Sequence, residues 1–113
     1  MRETKSPVIL AAHIQPAIDD GAWIEVECVE AAARGGNTHR GGWKIHVCAL
    51  DTTGVVIRAV YVIGRDLTPH IFRTTTGLMS FCMEMQMRPF ICPYAVGEIE
   101  VWKFATSKML APD

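Results

Sequence analysis

The sequence predicts an α+β fold, in which an antiparallel sheet of about five strands carries one helix on one face. Three stretches, at about 22–33, 43–50 and 55–63, are rich in β-branched and aromatic residues and are separated by turn-forming residues. A fourth stretch, at about 75–87, contains the good helix formers Leu, Met, Glu and Gln. Half of the chain is hydrophobic and 20% is charged, which is the balance of a globular protein, so we expect a single domain over residues 1–113.

The second and third stretches of this predicted meander (residues 22–63) are joined by a recognisable turn. Asp51 and Gly54 occupy the first and fourth positions that a type I turn prefers. A three-residue loop, Thr52–Gly54, then fixes how the two strands pair. The predicted cross-strand pairs are Leu50 with Val56, Cys48 with Arg58, and His46 with Val60.

The first and second stretches are joined by RGGNTHRGG, the segment Arg34–Gly42. We expect a mobile loop, because glycine adopts positive φ angles at no steric cost and few apolar side chains anchor the segment. A symmetric register places the two ends of the loop opposite each other. Its further cross-strand pairs are Glu30 with His46 and Cys28 with Cys48. The core face in this register holds Val29, Ala31, Ala33, Trp43, Ile45, Val47, Ala49, Ile57, Ala59 and Ile63.

The flanking segments supply the remaining elements. VILAAHI, at residues 8–14, is a continuous apolar run that fits a buried strand or a short helix, and we favour the strand because Val and Ile lead it. GEIEVWKFA, at residues 97–105, has the composition of another strand. In the segment 75–87 the methionines alternate with polar residues as in a strand, but the helix propensities favour a helix that stops before Pro89.

The face opposite the core is predicted to carry a polar cluster of Glu30, His46 and Arg58. An arginine binds an anion through two parallel hydrogen bonds, and a glutamate beside a histidine tunes its charge. These residues are candidates for a ligand site, or for the site of a small enzyme. The competing interpretation is a structural network of ion pairs, which also perturbs charge without any catalysis. No G-x-S-x-G, H-E-x-x-H or Walker pattern occurs, so whether the chain is an enzyme stays open.

The same register brings together Cys28, Glu30, His46 and Cys48, whose S, O, N and S atoms are a ligand set for tetrahedral zinc. The four cysteines of the chain form no C-x-x-C pair, however, and reduced buried cysteine is the commoner outcome. We therefore expect no metal and no other cofactor.

The tip of the first hairpin is a candidate nucleic-acid site through Arg34, His39 and Arg40. A two-stranded ribbon fits a nucleic-acid groove, and basic side chains contact phosphates. The formal net charge of −1 argues against this alternative, as do Glu25 and Glu27 on the flanking strand.

The function that the sequence favours is a small soluble, non-enzymatic module that binds a small molecule or a protein. A homodimer is expected, because a small chain with 50% hydrophobic residues has difficulty burying all of them. The N-terminal apolar run is at the short limit for a signal peptide and far too short to span a membrane, so a cytoplasmic location is expected.

Overall fold

The computed structural model describes residues 7–102 and confirms the α+β class. Its elements are β1 (Val8–Ile9), α1 (Ala11–Asp19), β2 (Trp23–Gly35), β3 (Thr38–Leu50), β4 (Val56–Ile63), β5 (Thr68–Pro69), β6 (Ile71–Thr74), α2 (Thr75–Glu84) and β7 (Ile99–Trp102). The sheet has the order β1-β4-β3-β2-β7, with β5 added to β4 and β6 added to β3. Within residues 7–102 the one parallel pair is β1 with β4. No helix in this range has the length and hydrophobicity needed to cross a membrane.

The predicted meander is present as β2, β3 and β4, and the register of β3 with β4 is confirmed. His46, Cys48 and Leu50 lie opposite Val60, Arg58 and Val56, respectively. The turn is held by the Asp51 side chain, whose Oδ1 accepts hydrogen bonds from the Thr53 hydroxyl at 2.7 Å and from the backbone N–H groups of Thr53 and Val55 at 2.8 and 2.9 Å. These bonds, first of all the one from the Thr53 hydroxyl, lower the pKa of Asp51 below its ordinary value.

The predicted register of β2 with β3 is wrong. Cys28 lies opposite Trp43 and His46 lies opposite Glu25, and two irregularities interrupt the pairing between Cys28 and Ala33. RGGNTHRGG is not a loop, because both strands continue through it to a two-residue turn at Gly36-Asn37. Of the four glycines only Gly36 has a positive φ, +70°, at the first central position of the turn, where a type II′ hairpin requires it.

Gly41 and Gly42 have a different role, and this role explains why the predicted register of β2 with β3 is wrong. Gly41 and Gly42 are buried in β3, and a Cβ atom on Gly41 would lie 2.9 Å from the Glu30 carbonyl oxygen. Glycine is needed there because the backbone of β2 approaches too closely for any side chain. The actual register differs from the predicted one by an odd number of residues, so every β2 side chain in the paired core faces the opposite way.

The β2 residues that alternate with its glutamates are apolar, and they therefore lie on the face of the sheet that the helices cover. A buried cluster joins this face to both helices. Its sheet members include Ile24, Val26, Cys28, Trp43, Ile45 and Val47, and its helix members are Ile14, Ile18, Leu78, Phe81 and Cys82.

Helix α2 is confirmed, although it ends at Glu84 and not at residue 87. It begins at Thr74, whose hydroxyl accepts a hydrogen bond from the Gly77 N–H at 3.0 Å and so caps the helix. The strand predicted at residues 8–14 is mostly wrong, since only Val8–Ile9 is a strand and α1 starts at Ala11. A continuous apolar run shows no helical period, and Pro16 inside α1 is unfavourable for a helix. The helix forms nevertheless, because it buries Ile14 and Ile18, which lie four residues apart on one helical face.

Two tryptophans fasten the segment before β7 to the sheet. The Trp43 Nε1–H donates to the Pro93 carbonyl at 2.7 Å, and the Trp102 Nε1–H donates to the Ile91 carbonyl at 2.8 Å. Both indole rings are fully buried. β7 is the C-terminal strand expected from the sequence, and it pairs with β2 on the edge of the sheet.

We expect Trp43→Phe to lower the free energy of unfolding by about 1–3 kcal/mol, because the buried Pro93 carbonyl loses its donor. Trp23→Phe is the matched control, since the Trp23 indole is only half-buried and its bond to Glu25 is long, at 3.3 Å. Its cost should stay below about 1 kcal/mol. Urea denaturation followed by circular dichroism measures both, and equal losses would contradict the anchoring role of Trp43.

Candidate functional site on the open sheet face

The face of the sheet turned away from the buried cluster carries two ion pairs, one between β2 and β3 and one between β2 and β4. Arg58 Nη2 lies 2.8 Å from Glu25 Oε1, and His46 Nε2 lies 2.9 Å from Glu27 Oε1. The His46 pair is diagonal, because His46 stands opposite Glu25 and reaches Glu27 in the next row, and diagonal neighbours on one face of an antiparallel sheet are within reach of long side chains. The Arg58 pair reaches across β3, since Arg58 lies opposite Cys48 and Cys48 lies opposite Trp23.

Each ion pair is partly exposed, with between 13% and 41% of each side chain accessible. Pairs with this much solvent contact contribute about 0–1 kcal/mol each to stability. Their larger effect is geometric, because they fix the direction of the guanidinium group and of the imidazole ring. Glu25 is itself held from a second side by the Trp23 indole N–H.

The thiol of Cys48 is buried on this face, in the row of Arg58. Burial, followed by the negative charge of Glu25, raises the pKa of Cys48 above its ordinary value. The thiol therefore stays protonated at neutral pH. A protonated, buried thiol is a poor nucleophile, even though His46 stands two residues away on the same strand.

A cleft of about 330 Å³ opens beside the ion pairs. We call it the sheet-face cleft, and its lining residues are Pro7, Lys44, His46, Arg58, Val60 and Pro69. Among residues 7–102, every polar side chain in this lining is basic and no carboxylate belongs to it. Lys44 has no carboxylate of residues 7–102 within ion-pair distance, whereas His46 and Arg58 each have one on the β2 side.

The structure brings together two of the three residues predicted for a ligand site. His46 and Arg58 line the sheet-face cleft, but Glu30 lies opposite Gly42 and pairs with Arg73 at 2.6 Å. The β2 register is the reason. Glu25 and Glu27 take the positions expected for Glu30.

Sequence reasoning missed Glu25, Glu27 and Lys44 as members of the site, although a signal existed. In WIEVEC the glutamates alternate with Ile24, Val26 and Cys28, and in WKIHV Lys44 and His46 alternate with apolar residues. A period of two places all four polar residues on the side opposite the apolar ones, whatever the register.

The predicted zinc ligands are not assembled. Cys28 lies on the helix-covered face, where its thiol donates to the Glu30 carbonyl at 3.2 Å, and Cys48 lies on the opposite face. Within residues 7–102 no group of three or more His, Cys, Asp or Glu side chains is close enough to hold a metal ion. The set Cys28, Glu30, His46 and Cys48 depended on the wrong register.

The basic residues predicted for nucleic-acid binding lie on a β-ribbon rather than on a loop. Arg34 and His39 are direct cross-strand partners, and Arg40 lies opposite Ala33. All three side chains are exposed. A second cleft, of about 340 Å³, opens at the base of the ribbon between Ala32, His39, Thr75, Cys92 and Tyr94.

Comparisons of this chain with protein-family models, curated proteins and solved structures find no match. The geometry of the two clefts is therefore the basis for the functional proposals below.

We expect Cys82 and Cys92 to resist alkylation by iodoacetamide in the folded protein at pH 8. Burial raises the pKa of each thiol from 9.0 to about 11, so only about one molecule in a thousand carries either thiolate at that pH. The rate should increase as the pH rises from 9 towards 11. Peptide mapping by mass spectrometry measures it, with urea-unfolded protein as the control that reacts at pH 8. Rapid labelling of folded Cys92 at pH 8 would contradict the expectation.

Proposed function

We propose that this chain is a non-enzymatic ligand-binding module whose sheet-face cleft binds a small anion, such as a carboxylate or a phosphate ester. The observation that supports this most is the lining of the cleft, which among the described residues contains Lys44, His46 and Arg58 and no acid. Arginine and lysine are the side chains with which proteins bind carboxylates and phosphates.

The surroundings of the three basic groups favour binding. Glu25 and Glu27 hold Arg58 and His46 from the β2 side, so both side chains lose little further conformational freedom when an anion binds. Pro7, Val60 and Pro69 form the rest of the wall. Apolar walls exclude water and strengthen the attraction between opposite charges.

A purely structural network of ion pairs is the simpler alternative, and Lys44 argues against it. A structural network pairs its charges, yet Lys44, although it lies opposite Glu27 on β2, forms no ion pair with a carboxylate of residues 7–102. What favours binding over catalysis is that both glutamates are engaged and that burial raises the pKa of Cys48.

Lys44→Gln tests this proposal and leaves both ion pairs intact, whereas Arg58→Gln would leave Glu25 without its ion-pair partner. We expect saturable binding of inorganic phosphate or citrate by the wild-type protein in isothermal titration calorimetry. Loss of one charged hydrogen bond should weaken that binding about tenfold or more. Arg65→Gln is the matched control, because Arg65 is an exposed cation that does not line the cleft.

Two outcomes would contradict the proposal. The first is no saturable binding of either anion by the wild-type protein below about 10 mM, the limit of very weak affinity. The second is equal weakening in Lys44→Gln and Arg65→Gln, which would mean that only the overall charge of the protein matters.

We further propose that the module is a homodimer that pairs through the outer edge of β4. From Val56 to Ala59 this strand has β3 on one side and, within residues 7–102, no strand on the other. Exposed apolar side chains surround the edge: Leu50, Val55, Val56 and Ile57. An exposed apolar edge strand is a template for pairing, and two copies can pair antiparallel across a two-fold axis.

The predicted register also placed Val26, Leu50, Val56, Val60 and Val62 on the face of Glu30, His46 and Arg58, as a patch for a second subunit, and the β4 edge replaces that patch. Val26 and Val62 are fully buried within the chain, so they offer nothing to a partner. Val60 is half-buried, lines the sheet-face cleft and pairs with β1. Leu50 and Val56 remain exposed: Val56 lies on the open edge, and Leu50 is its partner on β3.

We expect size-exclusion chromatography with light scattering to give twice the 12.5 kDa chain mass for the wild-type protein at micromolar concentration. Val56→Lys should give the single-chain mass, because a lysine on an edge strand opposes pairing. Met83→Lys is the control and should leave the mass unchanged, since Met83 is 69% exposed on α2 and does not belong to the edge. A wild-type protein at the single-chain mass would rule out the dimer.

A further inference from the structure

The ribbon formed by the ends of β2 and β3 carries a group of cations that the sheet-face cleft does not use. Arg34 and His39 are cross-strand partners on one face of the ribbon, in the second residue pair from the Gly36-Asn37 turn. Arg40 follows on β3, and its Cδ lies 3.1 Å from the position of a Cβ on Gly35. No carboxylate of residues 7–102 is within ion-pair distance of these three side chains.

The cleft at the base of the ribbon, which we call the ribbon cleft, includes one of these cations, His39, in its lining. Its lining residues are Ala32, His39, Thr75, Cys92 and Tyr94. Because Arg34 lies two residues beyond Ala32 on β2 and opposite His39, it stands on the same face of the ribbon as the cleft. The volume of about 340 Å³ is at the lower end of the range for small-molecule sites.

The ring of Tyr94 is the exposed aromatic wall of this cleft. Its side chain is 71% exposed, and within residues 7–102 the ring packs against no other aromatic ring. The backbone beneath it is nevertheless fixed. The Tyr94 carbonyl accepts a hydrogen bond from the Ala32 N–H at 3.0 Å, and its N–H donates to Glu98 Oε1 at 3.2 Å. The ring is thus presented to solvent from a fixed position.

Acidic residues near this region are already engaged. Glu30 pairs with Arg73, and Glu98 Oε1 accepts hydrogen bonds from the N–H groups of Tyr94 and Ala95. Glu25 and Glu27 are paired on the sheet face. The net charge of −1 therefore does not describe the ribbon, where Arg34, His39 and Arg40 form no ion pair with a carboxylate of residues 7–102.

We propose that the ribbon and the ribbon cleft bind single-stranded nucleic acid, with one base stacked on Tyr94 and with Arg34 and His39, which share the cleft's face of the ribbon, on the adjoining phosphates. Basic side chains that follow a backbone, together with an aromatic ring that accepts any base, are the two components of sequence-tolerant single-strand binding. A duplex hides the faces of its bases inside the stack, so Tyr94 has a partner only in a single strand. The site shares no residue with the sheet-face cleft.

Fluorescence anisotropy with labelled 12-mers of deoxythymidine and of uridine tests the proposal. Both strands should bind. If two or three phosphates are neutralised, affinity should fall about 7- to 18-fold between 50 and 200 mM NaCl. The corresponding duplex should bind more weakly than the single strand.

Two pairs of variants separate stacking from charge. Tyr94→Ala should weaken binding about fivefold or more, and Tyr94→Phe should retain it, because both Tyr and Phe offer a ring. Val96→Ala is the control for the same segment, since Val96 is exposed and does not line the cleft. The double variant of Arg34→Ala with His39→Ala should weaken binding and flatten its salt dependence, while Arg65→Ala should do neither.

The proposal is overturned if neither strand binds at 50 mM NaCl, or if Tyr94→Ala binds as tightly as Tyr94→Phe. It is also overturned if inorganic polyphosphate displaces the oligonucleotide as well as an unlabelled 12-mer does, because a phosphate chain has no base to stack. Tighter binding of the duplex would assign the ribbon to a groove and exclude the stacking role of Tyr94. Binding of small anions at Lys44 is measured separately, so either proposal can fail without the other.

Discussion

The close approach of β2 to β3 at Gly41 and Gly42 is the constraint on which the rest of the structure depends. A Cβ on Gly41 would lie within about 3 Å of the Glu30 carbonyl, the Ala32 Cα and the Trp43 ring. A Cβ on Gly42 would meet Glu30 and Arg73 at 3.0 and 3.2 Å. Because no larger residue fits at these two positions, β3 pairs with β2 so that Gly41 and Gly42 lie against Glu30 and Ala32. This alignment sets the pairing of Cys28 with Trp43 and so decides which β2 side chains enter the core.

Both clefts follow from this pairing. In the core register Glu25 and Glu27 emerge on the open face, where they pair with Arg58 and His46, while Lys44 forms no ion pair within residues 7–102. Beyond the glycines, the bulged end of β2 continues with β3 as a ribbon and brings Arg34 beside His39. The same contact thus separates the charges of residues 7–102, with Glu25 and Glu27 paired along the sheet and with Arg34 and His39 outside any ion pair at the ribbon. A nearly neutral protein can in this way present two separate basic surfaces.

The segment before β7 completes the second site through the tryptophans. Trp43 holds the Pro93 carbonyl from the core, and Ala32 holds the next carbonyl from β2. Tyr94 is consequently fixed at its backbone while its ring stays in solvent. An aromatic ring on a fixed backbone loses little conformational freedom on binding, which is the property expected of a stacking residue. Stability and recognition are therefore linked at Trp43, whose indole belongs to the core and supports the wall of the ribbon cleft.

By itself the sequence determined the features that depend on near neighbours along the chain. Turn chemistry at Asp51–Gly54 determined the pairing of β3 with β4, and with it the shared face of His46 and Arg58. Helix propensity determined α2, strand-type composition determined the C-terminal strand, and period-two alternation determined the polar side of β3. Tertiary structure alone decided the register of β2, the helix at Ala11–Asp19 and the partners of Glu30. These depend on contacts between distant segments. A glycine pair looks the same in the sequence whether it lies in a loop or in a strand that a neighbouring backbone approaches closely. An apolar run with no period fits a strand as well as a helix, and only its burial in the core decides between them.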